Sequence, residues 1–313
     1  MIALAAGMAV GSLAPVAAQR AQGGGAGPTS LFGSYVEARR SLGGGGQARA
    51  AQSGCPDDPA KFRPCAMGKE KTFDPPRTLD GKPDLQGYWA AGFQAFDIEE
   101  HPETFDYRGE PSLVVDPPDG KVPYKPSALA KRNDRADHHT DPTTFDYVDP
   151  NARCFLRGVP RQMWIMQFQI VQPPGGEHVA MLFEQNHAYR IIATDGRPHL
   201  GPDIRLWMQD SRGRWEGNTL VVDSTNSNGR PWLDNQGNFY SATAHVVERL
   251  TLVDADTLHY EATIDDPTVF TRPWTMAYPV RRVRDKGFEI MEFACHEGNR
   301  SMDLQLQRPD KKN

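Results

Sequence analysis

Hydrophobic and polar positions alternate with a period of two over most of the second half of the chain. Arg161–Gln172, His178–Ile192, Thr219–Ser224, His245–Val253, Thr257–Ile264, Trp274–Val283 and Phe288–Cys295 are rich in Val, Ile, Phe, Tyr and Trp, with Gly, Asp, Asn or Pro between them. That is the pattern of β-strands joined by turns. Leu85 to Trp89 opens the series. The spacing shows no fixed-period repeat, which disfavours a solenoid or propeller. Strands that follow one another through short turns predict an all-β domain over residues 78–313, an antiparallel up-and-down β-barrel or a sandwich. Residues 92–150, rich in Asp, Pro and aromatics, read as a long loop or lid excursion carrying a short helix from Ser127 to about Ala136. Ser30 to Leu42 offers a second short helix between Gly-rich flanks.

The first 18 residues are apolar and small, and Val16-Ala17-Ala18-Gln19 suits signal-peptidase cleavage, although no Lys or Arg precedes the run. This segment reads as an export signal and implies a periplasmic or secreted protein. Residues 19–77, with clusters of Gly and then of Pro, read as a flexible N-terminal extension. Nothing later approaches eighteen uninterrupted apolar residues, so no stable membrane span is expected. Export gives the four cysteines meaning, and three pairings are open. Cys55 with Cys65 would pin the extension and Cys154 with Cys295 would close a long loop, against free buried thiols as the other reading. No C-x-x-C spacing suggests zinc. A net charge of -5 with 24% charged residues supplies no basic field for nucleic acid. The absence of G-x-G-x-x-G and P-loop patterns leaves no sequence reason for a cofactor.

Strand alternation assigns faces and brings polar groups inward. In His245–Val253 the apolar set Ala244, Val246, Leu250 and Leu252 includes Glu248; in Phe288–His296, Phe288, Ile290 and Ala294 share a face with Glu292 and His296. Met163, Ile165 and Val171 share theirs with Gln167 and Gln169. In His178–Ile192 one face carries Leu182, Glu184, Asn186 and Arg190, the other Met181, Phe183, His187 and Tyr189. A barrel so lined would hold a small molecule. Glu184, His187, Arg190, Glu248 and His296 are then the candidate catalytic groups, and Gln167, Gln169, Asn186, Tyr189, Glu292 and Trp274 the candidate substrate contacts. The competing reading makes Arg190 and Glu248 a structural ion pair and leaves the histidines bonded to backbone carbonyls. Asp137-His138-His139 is a weak metal candidate, and Ser211 lacks the context of a nucleophile.

Asp80-Gly-Lys-Pro-Asp-Leu-Gln-Gly-Tyr-Trp89, Asp195-Gly-Arg-Pro-His199, Asp210-Ser-Arg-Gly-Arg-Trp-Glu-Gly-Asn-Thr-Leu-Val-Val222, Arg272-Pro-Trp-Thr275 and Ala294-Cys-His-Glu-Gly-Asn299 together resemble a large family of exported bacterial proteins, over about residues 72–300. In that family a Glu followed by His and Arg, here Glu184, His187 and Arg190, and the late Cys-His-Glu-Gly block are typical; Asn218 stands where Asp is usual. Gly87-Tyr88-Trp89 is similar to the G-x-W opening of lipocalins, whose Trp closes the barrel floor, and implies a lipocalin-like barrel. The expected function is an exported, cofactor-independent lyase or isomerase doing acid–base chemistry on a small apolar molecule, aromatic or derived from lignin or terpenoids. The alternative is a non-catalytic lipocalin-like carrier, and an interaction or envelope-structural role follows if the interior is closed. The sequence leaves the oligomeric state open.

Overall fold

The structure is a computed structural model and describes residues 53–91, 96–101, 109–164 and 166–300. The signal segment 1–18, the Ser30–Leu42 helix, Ile165 and the last thirteen residues lie outside that set. The elements in chain order are α1 (Pro59–Glu70), β1 (Gly87–Ala90), β2 (Val114–Asp116), α2 (Pro126–His138), β3 (Gln167–Val171), β4 (His178–Phe183), β5 (Tyr189–Ala193), β6 (Asp210–Glu216), β7 (Thr219–Thr225), β8 (His245–Leu252), β9 (Thr257–Asp265) and β10 (Trp274–Arg282).

Nine strands close into a ring in the order β1-β3-β4-β5-β6-β7-β8-β9-β10, with β10 returning to β1; β2 pairs with the other stretch of the same edge of β10. The fold is an all-β, lipocalin-like barrel. Parity sets its one departure from a pure up-and-down meander. Strand direction cannot alternate all the way round a ring of nine, so one junction must be parallel. That junction is β5–β6, joined by the single register pair Ala193–Arg212. The 194–209 connection is accordingly a crossover that travels from one end of the barrel to the other. Gly213 permits the close approach at this seam, because a Cβ there would lie 2.7 Å from Ile192 and 2.8 Å from Thr194.

Inward side chains fill the barrel. Trp89, Phe168, Ile170, Met181, Phe183, Leu220, Val222, Val246, Leu250, Tyr260, Ile264, Trp274, Met276 and Tyr278 belong to one buried cluster. Trp89 seals one part of it: its indole Nε1 donates to the Leu85 carbonyl at 2.8 Å, and the Arg282 guanidinium lies 4.1 Å over its ring. No helix among the described residues is long and apolar enough to cross a membrane.

Four local readings change. Residues 53–77 are not only a loop-rich extension. Asp58 caps α1 by accepting from the Lys61 N–H at 3.1 Å, and Phe62 and Ala66 are buried with Val253 of the barrel. Arg63–Glu261 (2.7 Å), Glu70–His259 (2.6 Å) and Asp57–Arg281 (2.6 Å) fix the segment. Its helical signal is hidden by Pro56, Pro59 and Pro64 and by a narrow apolar stripe. Arg161–Trp164 forms a 3₁₀ turn before β3. His178–Ile192 breaks into β4 and β5 at a turn that contains no glycine. Phe288–Cys295 is irregular despite its alternation, because β1 and β2 already occupy the edge of β10 that it would extend. Both disulfides, Cys55–Cys65 and Cys154–Cys295, are formed.

The excursion before β3 holds β2 and α2 and is pinned to the β7–β8 connection by buried carboxylates. Asp234 accepts from the N–H groups of Ile98 (2.9 Å), Gln236 (3.0 Å) and Asn238 (3.1 Å), and the Asn238 amide also bridges it to Asp97, which pairs with Arg132 at 2.7 Å. Burial, with the Asp97 carboxylate beside it, pushes the Asp234 carboxyl up to about 7. Between the unfolded value of ~3.9 and about 7, the folded state holds the proton more tightly. This group's contribution to stability therefore falls as pH rises through that window. Urea unfolding at pH 5 and pH 8 should show that component in the wild type and its loss in Asp234→Asn; an identical pH slope in the two proteins would refute it.

Candidate functional site

The predicted site residues separate into three groups. Arg190 and Glu248, 3% and 0% exposed, form a bidentate ion pair inside the barrel. Arg190 Nε donates to Ser211 Oγ at 2.8 Å and Nη2 to Ser224 Oγ at 2.7 Å, while the Tyr260 hydroxyl donates to Glu248 Oε1 at 2.7 Å. Burial and the Glu248 charge hold Tyr260 and Tyr278 well above the ordinary phenol range, so both stay neutral. Each charge is matched and hydrogen-bonded among packed side chains, which is the arrangement a structural pair requires. The two residues that the sequence places on inner faces are thus bonded to each other as an ion pair.

A second group gathers at one end of the barrel. Glu184 to Ala188 make the β4–β5 turn, closed by Phe183 N–H to Ala188 O at 2.8 Å. Asn186 (φ 57°) and His187 (φ 48°) sit in the left-handed region. The chain after β10 returns across this turn: Met291 N–H donates to Glu184 Oε2 at 3.3 Å, Phe293 N–H donates to His187 Nε2 at 2.7 Å, and Cys295 bonds Cys154. Between them lies an open cleft of about 330 Å³, lined by Asn186, His187, Glu292, Phe293, His296 and Glu297 and by the disulfide. Glu292 and His296 thus meet His187 in a rim cleft, from an exposed irregular segment, and do not face the barrel interior. Glu184 is buried directly beneath.

The third group is dispersed. Gln167 and Gln169 lie half-buried on the face of β3 opposite Phe168 and Ile170, because inward alternation starts one residue later than the sequence suggests. Tyr189 is 69% exposed on the outer face of β5. Trp274 is packed inside against Phe270, their rings 5.6 Å apart. None of these lines the cleft.

Beneath the cleft the barrel end is plugged. Arg161 makes two bonds to Asp149 (3.0 and 2.6 Å) and one to Asn235 (2.9 Å), Tyr240 donates to Val159 O at 2.8 Å, and Trp164 meets Tyr278 edge-on. Burial alone would raise Asp149, yet the Arg161 guanidinium outweighs it and holds the carboxyl below its usual range. Gly158 lets the plug approach, since a Cβ there would lie 2.7 Å from Pro231.

The sequence reading missed one cluster. His199 Nδ1 lies 2.8 Å from Asp210 Oδ2, and His199 Nε2 and His245 Nε2 lie 3.1 and 3.0 Å from Asp223 Oδ1. The signal was present, because the Asp195–His199 and Asp210–Val222 motifs end and begin on the bonded pair. Among the described residues no group of three His, Cys, Asp or Glu side chains is arranged to hold a metal ion. Comparison with family models, curated proteins and solved structures finds no match for this chain.

Breaking the interior pair should be costly. Glu248→Gln and Arg190→Met should each destabilise the protein by about 3–5 kcal/mol by leaving a buried charge unpaired. Arg190→Met combined with Glu248→Leu should cost less than the sum. Denaturant unfolding of the three variants measures this, and a fully stable Glu248→Gln variant would contradict the assignment.

Proposed function

We propose that the protein is an exported, periplasmic or secreted acid–base enzyme, a lyase or isomerase that needs no cofactor, and that its site is the cleft at the barrel end. One observation carries the reading. All six non-glycine residues with left-handed φ among the described residues, Cys154, Met166, Asn186, His187, Gln209 and Asn226, belong to the turns and connections of this end. Left-handed backbone at such residues costs free energy and collects where a site needs fixed geometry. The interior, by contrast, uses its charges on one another.

The cleft assigns roles. His187 Nε2 accepts the Phe293 N–H, which leaves Nδ1 as the ring nitrogen to meet a ligand. His187 is then a hydrogen-bond donor that polarises a substrate oxygen, and His296 with Glu292 exchanges protons. Phe293 in the cleft, and Phe155 stacked on Trp207 at 4.9 Å beside Cys154, suit an apolar, aromatic substrate such as a lignin-derived or terpenoid molecule. The two disulfides fit an oxidising compartment, and resemblance to exported bacterial proteins supports the same location.

Turnover and thermal-shift assays against a panel of phenolic lignin-type dimers and terpenoids test the reading. His187→Ala and His296→Ala should each reduce turnover of any substrate found by about 100-fold or more, with Gln169→Ala and Tyr189→Ala unaffected. Full activity in both histidine variants would exclude the cleft as the catalytic site. Binding without turnover would favour the carrier reading.

A further inference from the structure

Arg153, in the turn that leads to Cys154, has no carboxylate partner. Its guanidinium lies over the Phe145 ring at 5.7 Å and over the Phe155 ring at 5.3 Å, and Phe155 in turn stacks on Trp207 at 4.9 Å. Among the described residues it makes no hydrogen bond or ion pair, and its Nε is buried without a partner. Phe145 and Phe155 are exposed, so the stack stands at the surface. Cys154, the next residue, lines the cleft, and Asn186 of the same lining donates to Phe155 O at 2.9 Å. We propose, on the reading of the cleft as the functional site, that Arg153 is a substrate-binding residue that receives a carboxylate. The ligand of the cleft is then an apolar acid whose anionic end lies at Arg153.

A guanidinium is planar. Aromatic rings take its faces, and what remains is its N–H edge, the part that matches a carboxylate bidentately. Because the rings already hold the group in place, little freedom is lost when that edge binds. The local charge is positive as well. Arg153, Arg157 and Arg161 follow one another in the same segment, and Asp149 is bonded to Arg161 through both of its oxygens. Burial and the Arg161 charge both push the Arg157 guanidinium down, with Asp149 as the acid that opposes them. Asp149 is thus engaged behind Arg153. Neither Asp146, beside Phe145 in sequence, nor Glu292 or Glu297 of the cleft pairs with Arg153 among the described residues. Those two glutamates stand on the returning chain with His296. An anionic group is repelled by them and attracted by Arg153, which turns the neutral end of the ligand toward the histidines. Phe293 in the lining supplies the apolar contact along the way.

Isothermal titration calorimetry on the full-length protein at neutral pH, with biphenyl-4-carboxylate and its neutral amide as probes, tests this. The acid should bind about tenfold more tightly than the amide, and the difference should narrow as salt is raised. Arg153→Gln should bind the two alike. Arg153→Lys, which keeps the charge without the planar fork, should keep part of the preference. Equal affinity for acid and amide in the wild type, a comparison that needs no variant to fold, overturns the proposal and leaves the cleft standing as a binding site. An unchanged preference in Arg153→Gln also overturns it, by placing the anion elsewhere. Binding of neither probe overturns it together with the reading of the cleft.

Discussion

The buried contact between Arg190 and Glu248 solves a problem set by strand number. Nine strands force one parallel junction, and a parallel junction between consecutive strands forces a long crossover in place of a tight turn. Backbone pairing at that junction is reduced to Ala193 and Arg212. The Arg190 side chain spans the gap from inside, reaching β6 and β7 through serine hydroxyls and β8 through Glu248, with Tyr260 of β9 completing the carboxylate. The Arg190–Glu248 pair thus connects five strands. Gly213 belongs to the same solution, since only a residue without Cβ lets β6 come near Ile192 and Thr194.

Because these charges must be matched to be tolerated in the core, they are committed to the wall of the barrel. Ser211 and Ser224 are small and buried, and Tyr240, Tyr260, Tyr278 and Trp164 belong to the buried interior of the same barrel. A substrate admitted here would have to displace part of the network that holds the seam together. The barrel end differs from the wall: connections there are long, left-handed backbone is concentrated, and side chains such as His187 and His296 reach solvent.

The strands were legible because alternation in a half-buried strand is a local property. His245–Val253 placed Glu248 on the inner face, and the structure puts it there, fully buried. Alternation fails where the sequence does not announce a turn. Glu184 to Ala188 contains no glycine or proline, so β4 and β5 read as one strand, and His187 and Arg190 were placed by a periodicity that the turn resets. It fails again at Phe288–Cys295, where the pattern is right for a strand and no edge is free to pair with it. Pairing partners are a global property, as is the parity that makes β5–β6 parallel. The disulfide Cys154–Cys295 shows the same limit. Its pairing was one of three that four cysteines allow, and what it does, holding the returning chain over the β4–β5 turn, follows only from the course of that chain.

The division between wall and rim also bears on how the two histidine-bearing regions differ. His187 accepts the Phe293 N–H through Nε2 at the rim of the barrel. His199 faces carboxylates on both sides, Asp210 through Nδ1 and Asp223 through Nε2. Two histidines on one barrel therefore differ in the kind of partner that holds them. His187 lines the open cleft, whereas both ring nitrogens of His199 are engaged by Asp210 and Asp223. The second ties the crossover to two strands of the wall, and the first ties the β4–β5 turn to the returning chain, although both arise from equally conspicuous motifs in the sequence.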